Sequence, residues 1–201
     1  MNILEVNRVD KRFGSREVLK NLSFSVPEHT IYGFIGENGA GKTTTMKLIL
    51  GLLPLDGGEI RVCGEQVRYG QTKTNRHIGY LPDVPEFYGY LTPVEYLALS
   101  GSIAGMHPDE LKARTDELLS LVGLEQSAVR RINGFSRGMK QRLGIAQALI
   151  HRPRLLVCDE PTSALDPAGR KDVIDVLKAI KHQTTVLFST HILSDVERIC
   201  D

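Results

Sequence analysis

Apolar and polar residues alternate from Ile3 to Val9. They alternate again from Val18 to Val26, where Leu22, Phe24 and Val26 share one face. A period of two predicts two strands, and Gly14-Ser15 marks a turn between them. The apolar run Thr30 to Ile35, which stops at Gly36, predicts a third, buried strand. From Lys42 the period lengthens: Met46, Ile49, Leu50 and Leu53 fall on one helical face, and Pro54 ends it. Glu59 to Cys63 and Ile78 to Leu81 predict two more short strands.

Between about Pro82 and Leu121 the pattern is helical. Thr92-Pro93-Val94-Glu95 is a capping box with proline at the first helical position. Pro108-Asp109-Glu110 opens a second helix with Leu111, Leu118, Leu119 and Val122 as its stripe. A helix is predicted over Arg137 to Ile150, a buried strand over Arg154 to Cys158, and a helix from Asp166-Pro167 to about Ile180. Thr184 to Phe188 reads as the last strand, and Ile192 to Cys200 begins a helix. The expectation is one α/β domain over 1–201: a core over 1–81 and 144–201, beginning with antiparallel β structure, and an inserted α-helical subdomain over 82–143.

The 201 residues suit one domain, and 41% hydrophobic with 24% charged residues is ordinary for a globular protein. A net charge of +1 gives no reason to expect a nucleic-acid partner. Cys63, Cys158 and Cys200 form neither a zinc pattern nor a disulfide framework, which fits a reducing cytoplasm. No signal peptide is read at the start. No apolar run approaches the roughly 18–20 residues that span a bilayer, so action at a membrane would go through another chain.

The chemistry concentrates in two places. Gly36-Glu37-Asn38-Gly39-Ala40-Gly41-Lys42-Thr43 matches the phosphate-loop pattern GxxxxGK[ST], between an apolar strand and an amphipathic helix. Glycines let backbone N–H groups turn inward around phosphates, and the following helix points its positive end there. Asn38, Gly39, Ala40, Gly41, Lys42, Thr43 and Thr44 are therefore the candidate phosphate binders. Lys42 is expected to reach the terminal phosphates and the Thr43 hydroxyl to ligate Mg²⁺. Leu155 to Cys158 then runs into Asp159-Glu160. Carboxylates at that strand end belong beside the phosphate loop, Asp159 as a second Mg²⁺ holder and Glu160 as the group that polarises water.

Gly134-Phe135-Ser136-Arg137-Gly138-Met139-Lys140-Gln141-Arg142 resembles the signature segment of ABC (ATP-binding cassette) ATPases. It is the variant familiar in exporter-type subunits, those of drug and antibiotic efflux included. The resemblance runs over the whole chain and implies a phosphate-loop NTPase core of ABC type. It implies a head-to-tail dimer, homomeric or heteromeric, in which Ser136 and Gly138 meet the γ-phosphate held by the other protomer. Phe13 matches the aromatic that stacks on adenine, and Val18 a contact beside it. Ser163 to Asp166 matches the loop that communicates across the dimer, and His191 the switch histidine on the γ-phosphate. The implied ligands are ATP and Mg²⁺. The implied partner is a transmembrane permease subunit, with the protein at the cytoplasmic face of the membrane, hydrolysing ATP to drive transport. A soluble ABC ATPase of DNA repair, chromosome organisation or translation is the alternative, as is a non-hydrolysing nucleotide sensor. The span from Lys42 to Ser136 leaves no room for the insertions usual in the soluble class.

Two departures from the family pattern stand out. Asp83 occupies the place of the usual glutamine after Ile78 to Leu81, which makes it a candidate metal or coupling residue. The family's domain is also expected to continue beyond Asp201. Phe87, Tyr88, Tyr90 and Tyr96 read as subdomain core or as a groove for the membrane partner. Arg130, Arg131, Lys140 and Arg142 read as solvated helix faces.

Overall fold

Two strands and a tight turn begin the computed structural model, which describes residues 1–200. β1 (Asn2–Phe13) pairs antiparallel with β2 (Arg16–Pro27) and, on its other side, with β4 (Gly57–Val62). The two-residue β5 (Glu65–Gln66) completes an antiparallel sheet of order β2-β1-β4-β5. Register shifts interrupt the β1–β2 ladder, and Arg8 and Asn21 have positive φ, as bulged strands require.

The second sheet is parallel, of order β3-β8-β7-β6, with β3 (Ile31–Ile35), β6 (Ile78–Leu81), β7 (Leu155–Cys158) and β8 (Thr185–Thr190). Every residue of β7 and β8 is buried, as expected for parallel strands covered on both faces. Alternate residues go to different layers. Leu155, Val157 and Leu187 pack with α1 (Lys42–Ile49) and the antiparallel sheet, in a cluster that includes Leu4, Val6, Met46 and Ile60. Leu156, Cys158, Val186 and Phe188 face the helices on the opposite side.

Those helices are α2 (Pro93–Ile103), α3 (Pro108–Leu121), α4 (Arg137–Leu149), α5 (Pro167–Ile180) and α6 (Leu193–Ile199). The Thr92 capping box forms as read, with Thr92 Oγ1 accepting the Glu95 N–H and Glu95 Oε2 accepting the Thr92 N–H. α4 runs through positions 143 and 144, where the sequence reading divides helical segment from core. The buried residues of α2, α3 and α4 join those of β7 and α5 in one cluster. Gly79 and Gly144 allow α4 to lie on β6: a Cβ at Gly79 would strike the Ala148 carbonyl, and one at Gly144 would come 2.6 Å from Leu81 Cδ1.

Three local expectations are corrected. Among the described residues β3 pairs with β8 alone, and it is partly rather than fully buried, from Ile31 at 3% to Ile35 at 48% exposed. The Asp166 side chain makes no cap bond, so α5 starts on Pro167 alone. Arg142 is not a solvated cation: it donates to the carbonyls of Val122 (2.8 Å) and Gly123 (3.2 Å), which caps the end of α3.

Candidate active site

The carboxyl ends of β3, β8 and β7 lie side by side, which brings three separate loops to one place. The first loop runs from β3 into α1. The Gly36 N–H donates to the Thr190 carbonyl at 3.2 Å, which ties the start of the loop to the end of β8. Gly39 and Gly41 have φ of 85° and 95°. Gly41 is doubly constrained, since a Cβ there would also lie 2.7 Å from Leu19 Cδ2. No side chain caps α1, so the amides of its first turn are left to an anionic ligand.

Lys42, only 6% exposed, folds back over the loop. Its Nζ donates to the Gly36 and Glu37 carbonyls (2.6 and 3.0 Å) and lies 3.2 Å from Glu160 Oε1. The other oxygen, Glu160 Oε2, is 2.9 Å from His191 Nδ1. One carboxylate therefore bridges the phosphate-loop lysine and the histidine that follows β8.

The backbone beneath this bridge is strained and tightly held. Glu160 has φ 47°, a left-handed conformation that costs a non-glycine residue about 1–2 kcal/mol. Its N–H donates to Ser189 Oγ (2.9 Å), and the Ser189 hydroxyl donates to Asp159 Oδ1 (2.6 Å). Ser189 is fully buried and Asp159 nearly so. The Asp159 N–H in turn donates to the Leu81 carbonyl (2.8 Å), which anchors the acidic pair to β6.

Asp83 follows β6 and lies 3.5 Å from Arg137 at the start of α4. Burial pushes its carboxyl up; Arg137 opposes this, while the charges of Glu160 and Asp159 reinforce it. Tyr80 is pushed up to about 12, first by burial and then by the Asp159 charge.

A cleft of about 460 Å³ opens between the phosphate loop and the β1–β2 hairpin. Phe13, Val18, Asn38, Gly39, Gly41, Lys42, Thr43, Thr44 and Glu160 line it. Ala40 is exposed on the same loop, while Asp159 and His191 join through Glu160 and Ser189. Ser136 and Gly138 stand outside the cleft. Ser136 is the N-cap of α4, accepting the Met139 N–H at 3.2 Å, and a Cβ at Gly138 would lie 3.7 Å from the Gly169 Cα.

The Thr43 hydroxyl, Asp159 and Asp83 offer only oxygen donors, the set that suits Mg²⁺. The Asp83 Oδ1 is buried without a hydrogen-bond partner. No group of three His, Cys, Asp or Glu among the described residues could hold a metal unaided. The donor set thus fits an ion that completes its shell with phosphate oxygens and water.

Two features escaped the sequence reading. Arg16 lines the cleft, although nothing in the strand alternation marks it out. Ser189 links both acidic residues, a contact thirty positions away along the chain. The aromatic group divides: Phe87 packs edge-to-face on the buried Tyr96 (centroids 4.9 Å), whereas Tyr88 and Tyr90 are exposed. Beside them a hollow of about 440 Å³ is lined by Val84, Phe87, Ile132, Arg137 and Lys140 among others.

A glycine loop entering a helix, with strand-end carboxylates beside it, defines a nucleotide-binding α/β domain of the phosphate-loop class. The chain belongs to the ABC transporter family, whose sequence profile matches residues 19–163. It is 44% identical to the uncharacterized ABC transporter ATP-binding protein YxlF of Bacillus subtilis, over 99% of this chain and 66% of that protein. It is 40% identical to the bacitracin transport ATP-binding protein BcrA of Bacillus licheniformis, over 99% of this chain and 65% of that protein. The chain thus spans just under two thirds of the length of these curated relatives. Among solved structures, cbiO1 of Clostridium perfringens, part of the cbiONQ transporter complex, superposes with a TM-score of 0.91 at 25% identity, over 100% of this chain and 82% of that one. An ATP-binding subunit of an ABC transporter gives a TM-score of 0.86 at 34% identity, over 99% and 83%.

Proposed function

We propose that the protein binds and hydrolyses ATP as the motor subunit of a membrane transporter. It would work as a dimer of ATP-binding subunits at the cytoplasmic face of the membrane, under a transmembrane permease partner, and would drive export. The observation that carries this reading is the meeting of Lys42 and His191 on the two oxygens of Glu160, beside the phosphate loop.

In this reading the adenine ring stacks on Phe13, which is 47% exposed at the cleft, with Val18 beside it. The loop amides from Asn38 to Thr44 receive the phosphates. Lys42 exchanges the Gly36 and Glu37 carbonyls and the Glu160 carboxylate for phosphate oxygens, which frees Glu160. Thr43 and Asp159, with Asp83 as a third candidate, hold Mg²⁺, whose charge offsets that of the phosphates. Glu160 orients the attacking water and accepts its proton, while His191 holds the γ-phosphate. The left-handed backbone of Glu160, pinned to Ser189, fixes the carboxylate in that direction.

The free amides at the start of α4, with the Ser136 hydroxyl, form an anion site that the chain's own cleft does not fill. A second protomer's γ-phosphate suits it, which favours the head-to-tail dimer. Among the described residues no helix is long and apolar enough to cross a membrane, so transport would run through another chain or segment. The hollow beside Tyr88 and Tyr90 suits contact with that partner. Export rests on the names of the relatives, bacitracin transport and Nod factor export among them.

Steady-state phosphate release from MgATP tests the reading. The wild-type protein should turn over, and Glu160→Gln should slow it by about 100-fold or more, the scale of a positioned base. Equal turnover in the variant would remove Glu160 from its role.

A further inference from the structure

Glu160 and His191 sit on two segments, 159–162 after β7 and 191–195 after β8, and the bridge between them is joined at both ends. At the near end Ser189 binds Asp159 and the Glu160 N–H. At the far end the Thr162 hydroxyl donates to Asp195 Oδ2 at 2.6 Å. Asp195 lies on α6, is 1% exposed, and starts its turn with an N–H bond to the Ile192 carbonyl. Its second oxygen, Oδ1, makes no hydrogen bond among the described residues, where the Arg170 guanidinium lies 3.9 Å away. A buried carboxylate with one good bond and one distant cation is costly to keep, and a leucine would fill such a place more cheaply.

We infer that Asp195 is a positioning residue: with Thr162 it closes the far end of a clamp that holds Glu160 and His191 in register. The inference rests on the proposed ATPase reading for its catalytic meaning. The geometry supports it in three ways. Thr162 is two residues beyond Glu160 and Asp195 four beyond His191, so a single bond limits the swing of both. Positive φ occurs on both sides of Thr162, at Glu160 and at Ala164, and such conformations persist only when their surroundings enforce them. Arg170 stands one turn into α5, whose first turn carries Gly169 against Gly138, so the clamp also rests on the element that touches the signature segment.

The test uses the full-length protein with three variants. Thr162→Val removes the hydroxyl at nearly constant volume, Thr162→Ser keeps it, and Asp195→Ala removes the acceptor. Thr162→Val is expected to lower kcat about tenfold, with KM for ATP and the affinity for ADP within twofold, because the loop 36–44 is untouched. Thr162→Ser should restore most of kcat. Adding Asp195→Ala to Thr162→Val should cost no more than the worse single change. Amide exchange gives a readout apart from turnover: protection over 161–165 and 191–195 should fall together in Thr162→Val. Unchanged kcat and unchanged exchange would overturn the inference, as would a loss confined to ATP and ADP binding. If the wild-type protein does not hydrolyse ATP, the proposed function fails, and the exchange experiment still decides whether the clamp exists.

Discussion

Ser189→Ala puts a number on the coupling between the two acidic residues. The hydroxyl is fully buried and makes two bonds, donating to Asp159 Oδ1 at 2.6 Å and accepting from the Glu160 N–H at 2.9 Å. Its removal leaves a part-buried N–H without an acceptor and a nearly buried carboxylate without a donor. Each orphaned group costs about 1–3 kcal/mol, and the volume lost is too small to admit a water. A total of about 2–6 kcal/mol is expected. For a domain of this size 1 kcal/mol moves Tm by about 2–4 °C, so Tm should fall by roughly 4–24 °C. Urea unfolding followed by far-UV circular dichroism, with thermal melts in parallel, measures both. A loss below about 0.5 kcal/mol, the scale of an uninvolved surface change, would show that Ser189 does not carry the acidic pair.

Three further outcomes follow from separate parts of the molecule. Phe13→Ala should weaken ATP and ADP binding equally, by the ~1–3 kcal/mol typical of base–aromatic stacking, with an unchanged melting temperature; titration calorimetry reads both affinities. Gly144→Ala should destabilise by about 1–3 kcal/mol, because its Cβ would lie 2.6 Å from Leu81 Cδ1 and press α4 off β6; the urea midpoint should fall at constant slope. The Asp83 carboxyl is held above the ordinary carboxylate value by burial, so the folded chain binds its proton more tightly than the unfolded one. Stability from this group is therefore greatest below the ordinary value and declines as pH rises through the folded one. Asp83→Asn should be slightly more stable than wild type at pH 7, with the advantage shrinking as pH falls towards about 4 in stability measurements across pH.

The order of elements was legible because each carries a clear period or a cap. Ile78 to Leu81, the Thr92 capping box and the Pro167 start all appear where local chemistry puts them. The phosphate loop was legible for the same reason, since Gly39 and Gly41 need their backbone angles and Lys42 follows directly. What stayed hidden depends on contacts far apart in sequence. β3 reads as buried because its residues are apolar, yet its partial exposure follows from its pairing with β8 alone among the described strands. Arg142 reads as a surface cation, but the fold brings the end of α3 to it. Ser189 and Asp195 are a serine in a strand and an aspartate in a helix, residue types with no pattern of their own. Only the closure of β7 against β8 gives them partners thirty or more positions away. The positive φ of Glu160 and Ala164 is equally invisible, because neither is glycine.

The central claim is that Glu160 acts on water at a nucleotide held between two protomers. Sizing chromatography of full-length Glu160→Gln, with and without MgATP, tests it most directly. The account predicts a monomer without nucleotide and a dimer with MgATP, because binding is retained while the step that separates the protomers is blocked. A protein that binds MgATP and keeps the same size in both conditions would contradict it.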